Sequence, residues 1–181
     1  MDPQSPARQR LAYDELLSNQ LALALVRVAM RKVKGQAIEG DGALRTNVID
    51  ALPFKLTSSQ EEALGEIYED MAAPIRMLRL LQGDVGSGKT VVALLAMLNA
   101  IEAGGQAAIM APTEILARQH LATIEPLAEA VGIGVVLLTG REKGKTRQAV
   151  LDKLESGEAT LVVGTHALFQ DDVGFRELNM A

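Results

Sequence analysis

LLQGDVGSGKTVVALLAML, residues 80–98, places a short apolar run, a glycine-rich loop ending in Lys-Thr and a second apolar run in direct succession. Within it, Gly83 to Thr90 satisfies the pattern G-x-x-x-x-G-K-[ST] of a phosphate-binding loop. Glycines let the backbone turn through conformations closed to other residues, so that successive amides converge on phosphate oxygens at a helix N-terminus. Lys89 supplies a mobile cation for the β- and γ-phosphates, and Thr90 supplies a hydroxyl suited to one position in the octahedral shell of Mg²⁺. The candidate nucleotide site is therefore the whole loop: Gly83, Asp84, Val85, Gly86, Ser87, Gly88, Lys89 and Thr90. Eight residues can match such a pattern by chance, and the surrounding sequence argues against chance. Met77 to Gln82 (MLRLLQ) reads as a strand leading in, and Lys89 to about Ala103 reads as a helix leading out, stopped by Gly104-Gly105. Gly83, Gly86 and Gly88 have the wrong spacing for the G-x-G-x-x-G turn of nicotinamide and flavin folds, so ATP with Mg²⁺ is the expected ligand.

Outward from the loop, helices and short apolar strands alternate. QAAIM (106–110), IGVVLL (133–138) and ATLVVG (159–164) read as further strands. A helix from Pro112-Thr113 through Leu121 should end or kink at Pro126, and another should cover Thr146 to Glu155 before Gly157. Upstream, Thr57 and Gln60 have capping-box spacing and open a helix to about Met71. The alternation predicts an α/β fold, a parallel sheet with helices on both faces, in which ligands collect at the carboxyl ends of the strands. Before it, Arg8 to Lys34 lacks Gly and Pro and carries Leu17, Leu21, Leu25 and Val28 at helical spacing, which predicts one long helix. Residues 35–53 lose periodicity and read as a linker, dividing the chain into 1–51, long helix plus linker, and 52–181, the main domain.

The gross composition narrows the function. A chain of 181 residues with 48% hydrophobic and 23% charged residues has room for one ordinary domain and an extra helix. Its net charge of −5 gives no global field for nucleic acid, so any DNA contact must come from local groups. The densest basic cluster is Arg141, Lys143, Lys145 and Arg147, either a solvated turn or a source of salt-dependent DNA affinity. With no cysteine there are no disulfides or thiolate metal sites, and the first ten residues lack the apolar stretch of a signal peptide; a cytoplasmic protein is expected.

Four segments together carry a family resemblance. LTSSQEEAL (56–64), GDVGSGKT (83–90), APTEILARQH (111–120) and GTHALFQ (164–170) resemble, in order and spacing, the first four motifs of the superfamily 2 helicases. More narrowly they resemble the RecG family of branched-DNA helicases, whose pre-motor helix RQRLAYDELLSNQLALAL (8–25) also resembles. The resemblance implies a RecA-like P-loop NTPase lobe, ATP hydrolysis with Mg²⁺ and branched or double-stranded DNA as partner. By the same resemblance, Gln60 corresponds to a glutamine that reads adenine; as the third residue of its capping box it has an equal structural role. Thr113 corresponds to a threonine touching a DNA phosphate, and it is a helix cap in either case. Arg118 either adds charge to that surface or is a solvated helix arginine. Thr165 and His166 correspond to another DNA-backbone segment, with a structural histidine as the alternative, and His120 reads as a packing or capping residue.

A helicase of this kind also needs an Asp-Glu pair after a further apolar strand, to hold Mg²⁺ and activate water. The chain reaches FRELNMA (175–181) where that strand is expected to begin, and Asp171-Asp172 is a poor substitute because no apolar run leads into it. The expectation is a truncated lobe that binds nucleotide and does not turn it over alone. Two rivals share the loop. One is a double-stranded-DNA translocase of the transcription-repair coupling type; the other is a small P-loop kinase, for which the long N-terminal helix has no use.

Overall fold

The structure is a computed structural model and describes residues 5–31 and 34–181. It divides into two compact units, one comprising Met1–Ala37 with Ala73–Leu78 and the other Ile38–Ala72 with Arg79–Ala181.

In the first unit, α1 (Pro6–Arg31) is the expected long helix, with an Arg10–Asp14 pair at i,i+4 on its surface. Lys34 forms an antiparallel bridge with Ile75, and the Gly35 amide donates to the Pro74 carbonyl at 3.1 Å. Leu17, Leu21 and Leu25, which the sequence places at helical spacing, are exposed in this unit; the side chain of Val28 lies outside the described residues.

The second unit holds α2 (Ala43–Ala51), α3 (Ser58–Ala72), α4 (Lys89–Glu102), β1 (Gln106–Met110), α5 (Glu114–Glu129), β2 (Val135–Leu138), α6 (Gly144–Ser156), β3 (Leu161–Gly164), a 3-10 turn (His166–Phe169) and β4 (Leu178–Met180). The strands make one parallel sheet in the order β2-β3-β1-β4. β3 shows why its sequence is uniformly apolar: all four residues are buried, as both faces of a parallel sheet must be. Val162 packs with Ala108, Leu138, Leu151 and Leu154, which places α6 over one face. Leu161 and Val163 alternate with it and are equally buried, so the opposite face is covered too, where α4 and α5 contact the sheet. The helix that begins at the loop lysine is itself the centre of the core: Leu94, Leu95 and Leu98 are fully buried, the pattern of a helix apolar around most of its circumference.

Two expectations need correction, and the end-or-kink alternative at Pro126 loses its first half. Met77–Gln82 is not a strand. β-propensity is realised only against a partner, and this segment pairs with none of the four strands, which leaves Leu78 and Leu80 79% exposed. Residues 35–53 are not a linker throughout, because 43–51 form α2, whose Val48 is fully buried. Pro126 does not end α5, which continues to Glu129 with the proline in its last turns.

What holds residues 38–45 in place is polar. Glu102, at the end of α4 with its side chain 1% exposed, accepts from the Gly42 amide at 3.0 Å, the Arg45 amide at 2.9 Å and the Arg45 guanidinium at 2.8 Å. One turn earlier, Asn99 accepts from the Gly40 amide and donates to the Ile38 carbonyl. The Arg45 guanidinium also lies 4.4 Å from the Tyr68 ring centre, a cation–π contact that joins α2 to α3.

Candidate functional site

The phosphate loop is built as its sequence requires. Gly86 and Gly88 have φ of 83° and 80°, a region that side-chain-bearing residues avoid, and a Cβ on Gly88 would collide with the Gln60 amide. Gly88 is the N-cap of α4 and no side chain caps it, so the first amides of a 14-residue helix are available to an anion. Lys89 Nζ donates to the carbonyls of Gly83 at 2.6 Å and Asp84 at 2.7 Å and lies 3.4 Å from Ser87 Oγ. The ammonium group thus occupies the mouth of the loop, beside the uncapped first amides of α4.

Gln60 performs both halves of the capping box. Its Oε1 accepts from the Thr57 amide at 2.9 Å while its own amide donates to Thr57 Oγ1 at 3.3 Å. Its Nε2 then donates to the Ser87 carbonyl at 2.9 Å, tying the start of α3 to the phosphate loop. Each amide terminus retains capacity for one further bond, a proton on Nε2 and a lone pair on Oε1.

His120, expected to be a packing or capping residue, stands beside the loop: its Nδ1 is 3.5 Å from Thr90 Oγ1. Nothing in the sequence shows this, because the two are 30 positions apart and meet only when α5 crosses α4.

The carboxyl ends of β1, β2 and β3 gather the second group of residues. The Ala111 amide donates to the Gly164 carbonyl at 2.8 Å and the Thr165 amide to Leu138 at 3.2 Å, which binds the three ends together. Thr113 caps α5, accepting from the Leu116 amide, and is exposed. Thr165 is buried and accepts from the Ala167 amide, whereas its neighbour His166 is exposed. Arg118 is held by Glu114 at 2.8 Å and lies 3.7 Å from Glu142. In the basic loop, Arg141 pairs with Glu114 and Arg147 with Asp172, so two of its four cations are internally matched.

Thr139 and Glu142 were not singled out in the sequence, although their T-x-x-E spacing is that of a capping box. Thr139 is fully buried, and Glu142 Oε2 accepts from its amide at 2.6 Å and its hydroxyl at 2.7 Å. Burial pushes the Glu142 carboxyl up, but the hydrogen bonds from Thr139, with Arg118 adding attraction, outweigh it and hold the carboxyl below the ordinary glutamate value. A depressed folded-state value contributes stability above the unfolded value that is lost as pH falls through the folded one. Glu142→Gln should therefore flatten the acid limb of the stability curve below the ordinary glutamate range, measured by thermal melts across pH. An unchanged acid limb would show that the turn does not depend on the charge.

Among the described residues no group of three or more His, Asp or Glu side chains forms that could hold a metal alone. Nor is any helix long and apolar enough to cross a membrane.

Residues 57–180 match the family model described as DEAD/DEAH box helicase. The chain belongs to that family. It is 47% identical over 96% of its length to the ATP-dependent DNA helicase RecG of Pasteurella multocida, and 47% identical over 96% to that of Bacillus subtilis. It covers 25% and 26% of those proteins, so it spans about a quarter of the length of the relatives it matches. A solved structure titled "Structure of RecG bound to three-way DNA junction" superposes with a TM-score of 0.86 at 46% identity, over 95% of this chain and 24% of that one. The fold of this helicase-family chain is thus the α/β parallel sheet expected from its sequence, as a RecA-like lobe.

Proposed function

We propose that the chain is the ATP-binding part of a RecG-type helicase that uses ATP to remodel branched DNA. The observation that carries the nucleotide reading is the open, uncapped α4 N-terminus behind a left-handed Gly86/Gly88 loop with Lys89 at its mouth. Gly83 to Thr90 hold the phosphates, Thr90 supplies an oxygen to Mg²⁺, and the free proton and lone pair of Gln60 match the N7 and amino group of adenine. ATP with Mg²⁺ supplies the phosphoryl chemistry of the whole enzyme. This chain's residues bind and orient it, with 1–51 as the leading helix and its connection and 52–181 as the nucleotide-binding domain.

For DNA, Thr113 and His166 are the proposed backbone contacts, since both are exposed at the joined strand ends. Arg118, exposed beside Glu114 and Glu142, adds a guanidinium to that surface, and Thr165, a buried cap, offers its neighbouring backbone. The similarity to RecG proteins supports branched over linear DNA as the substrate.

The test is a transplant. Replacing the matching quarter of the Bacillus subtilis RecG with this chain should give a protein whose ATP hydrolysis rises with three-way-junction DNA and vanishes with Lys89→Ala. A folded, ADP-binding chimera indifferent to junctions would overturn the DNA reading.

A further inference from the structure

When a threonine hydroxyl becomes a Mg²⁺ ligand, its oxygen gives a lone pair to the cation and its proton must go to some other acceptor. An unaimed O–H would point its hydrogen toward the metal and weaken the bond. Groups that accept such a proton therefore set both the orientation and the donor strength of the ligand. Among the described residues, the side-chain acceptor found at Thr90 Oγ1 is His120 Nδ1, 3.5 Å away. That separation is at the outer limit of a hydrogen bond, the length expected of a contact that tightens when its site is filled.

We propose that His120 is a positioning residue for the magnesium nucleotide: its Nδ1, unprotonated in the tautomer with hydrogen on Nε2, accepts the Thr90 proton and turns the hydroxyl lone pair to the cation. The inference rests on the phosphate-loop reading above and deepens it. Placement on α5 gives it a second consequence. His120 is seven residues from Thr113, about two turns of the same helix, so the residue that aims the metal ligand and the exposed cap at the strand ends move as one rigid element. His120 and Thr90 are both half-buried, which leaves the contact within reach of a nucleotide while limiting competition from water.

The experiment measures the affinity of the 181-residue chain for a fluorescent ADP, with Mg²⁺ and with EDTA, in the wild type, His120→Leu and His120→Asn. The gain in affinity on adding Mg²⁺ should fall about tenfold or more in His120→Leu. His120→Asn, whose Oδ1 can stand where Nδ1 does, should keep most of it. Metal-free ADP binding should be the same in all three, a result that loss of structure would not give. A wild-type magnesium gain in His120→Leu, or equal loss in both variants, overturns the positioning role and leaves the phosphate loop intact. Absence of ADP binding by the wild type would instead overturn the nucleotide reading, and this inference with it.

Discussion

Lys89→Ala should bind ADP about a hundredfold more weakly than the wild type, because it removes charge-assisted contacts to phosphate worth about 1.5–3 kcal/mol. In the structure the ammonium group already lies over the loop, donating to Gly83 and Asp84 carbonyls. On nucleotide binding the ammonium group should exchange those carbonyls for phosphate oxygens. The rest of the cradle is backbone, so the variant should fold, as circular dichroism would show. Gln60→Ala should behave differently. Losing its bond to Ser87 loosens the loop modestly, and losing its free proton and lone pair removes the preference for ADP over GDP. ADP affinity unchanged in Lys89→Ala by calorimetric titration would mean that the nucleotide does not bind at this loop.

Glu102→Ala should lower the unfolding free energy by about 3–5 kcal/mol, the usual result of stripping one partner from a buried ion pair. Three donors would lose their acceptor at once: the Gly42 amide, the Arg45 amide and a guanidinium whose side chain is only 14% exposed. For a chain of this size the corresponding drop in Tm is roughly 10 °C. Adding Arg45→Met to Glu102→Ala should recover part of the loss, since no unpaired charge then remains beside Tyr68. Glu102 lies at the far end of α4 from Lys89, about 20 Å along the axis, so ADP affinity well below the transition should change little. A Tm within about 2 °C of the wild type would show that water reaches the pair freely.

Local chemistry was legible in the sequence where local chemistry decides the structure. Loop, lysine, helix α4 and the Thr57–Gln60 cap all form from residues within a few positions of one another, and all appear where their spacing places them. The misreadings are non-local. Met77–Gln82 has the composition of a strand but pairs with none, while α2 has poor periodicity and is held by Glu102, and the residues leading into it by Asn99, more than 50 residues away. Gln60 shows the same limit from the other side. Its capping role could be read from a three-residue interval, and its bond to Ser87, 27 residues on, could not. At the strand ends, the sequence did not show that Thr165 is buried as a cap or that the exposed Arg118 lies beside Glu114 and Glu142.

The central claim is that this helicase-family lobe holds a magnesium nucleotide at the N-terminus of α4. Amide hydrogen exchange, followed by residue with and without ADP and Mg²⁺, tests it most directly. Protection should appear at Gly83 to Val92 and at Thr57 to Glu61, and should disappear in Lys89→Ala. Protection elsewhere, or the same protection in the variant, would contradict it.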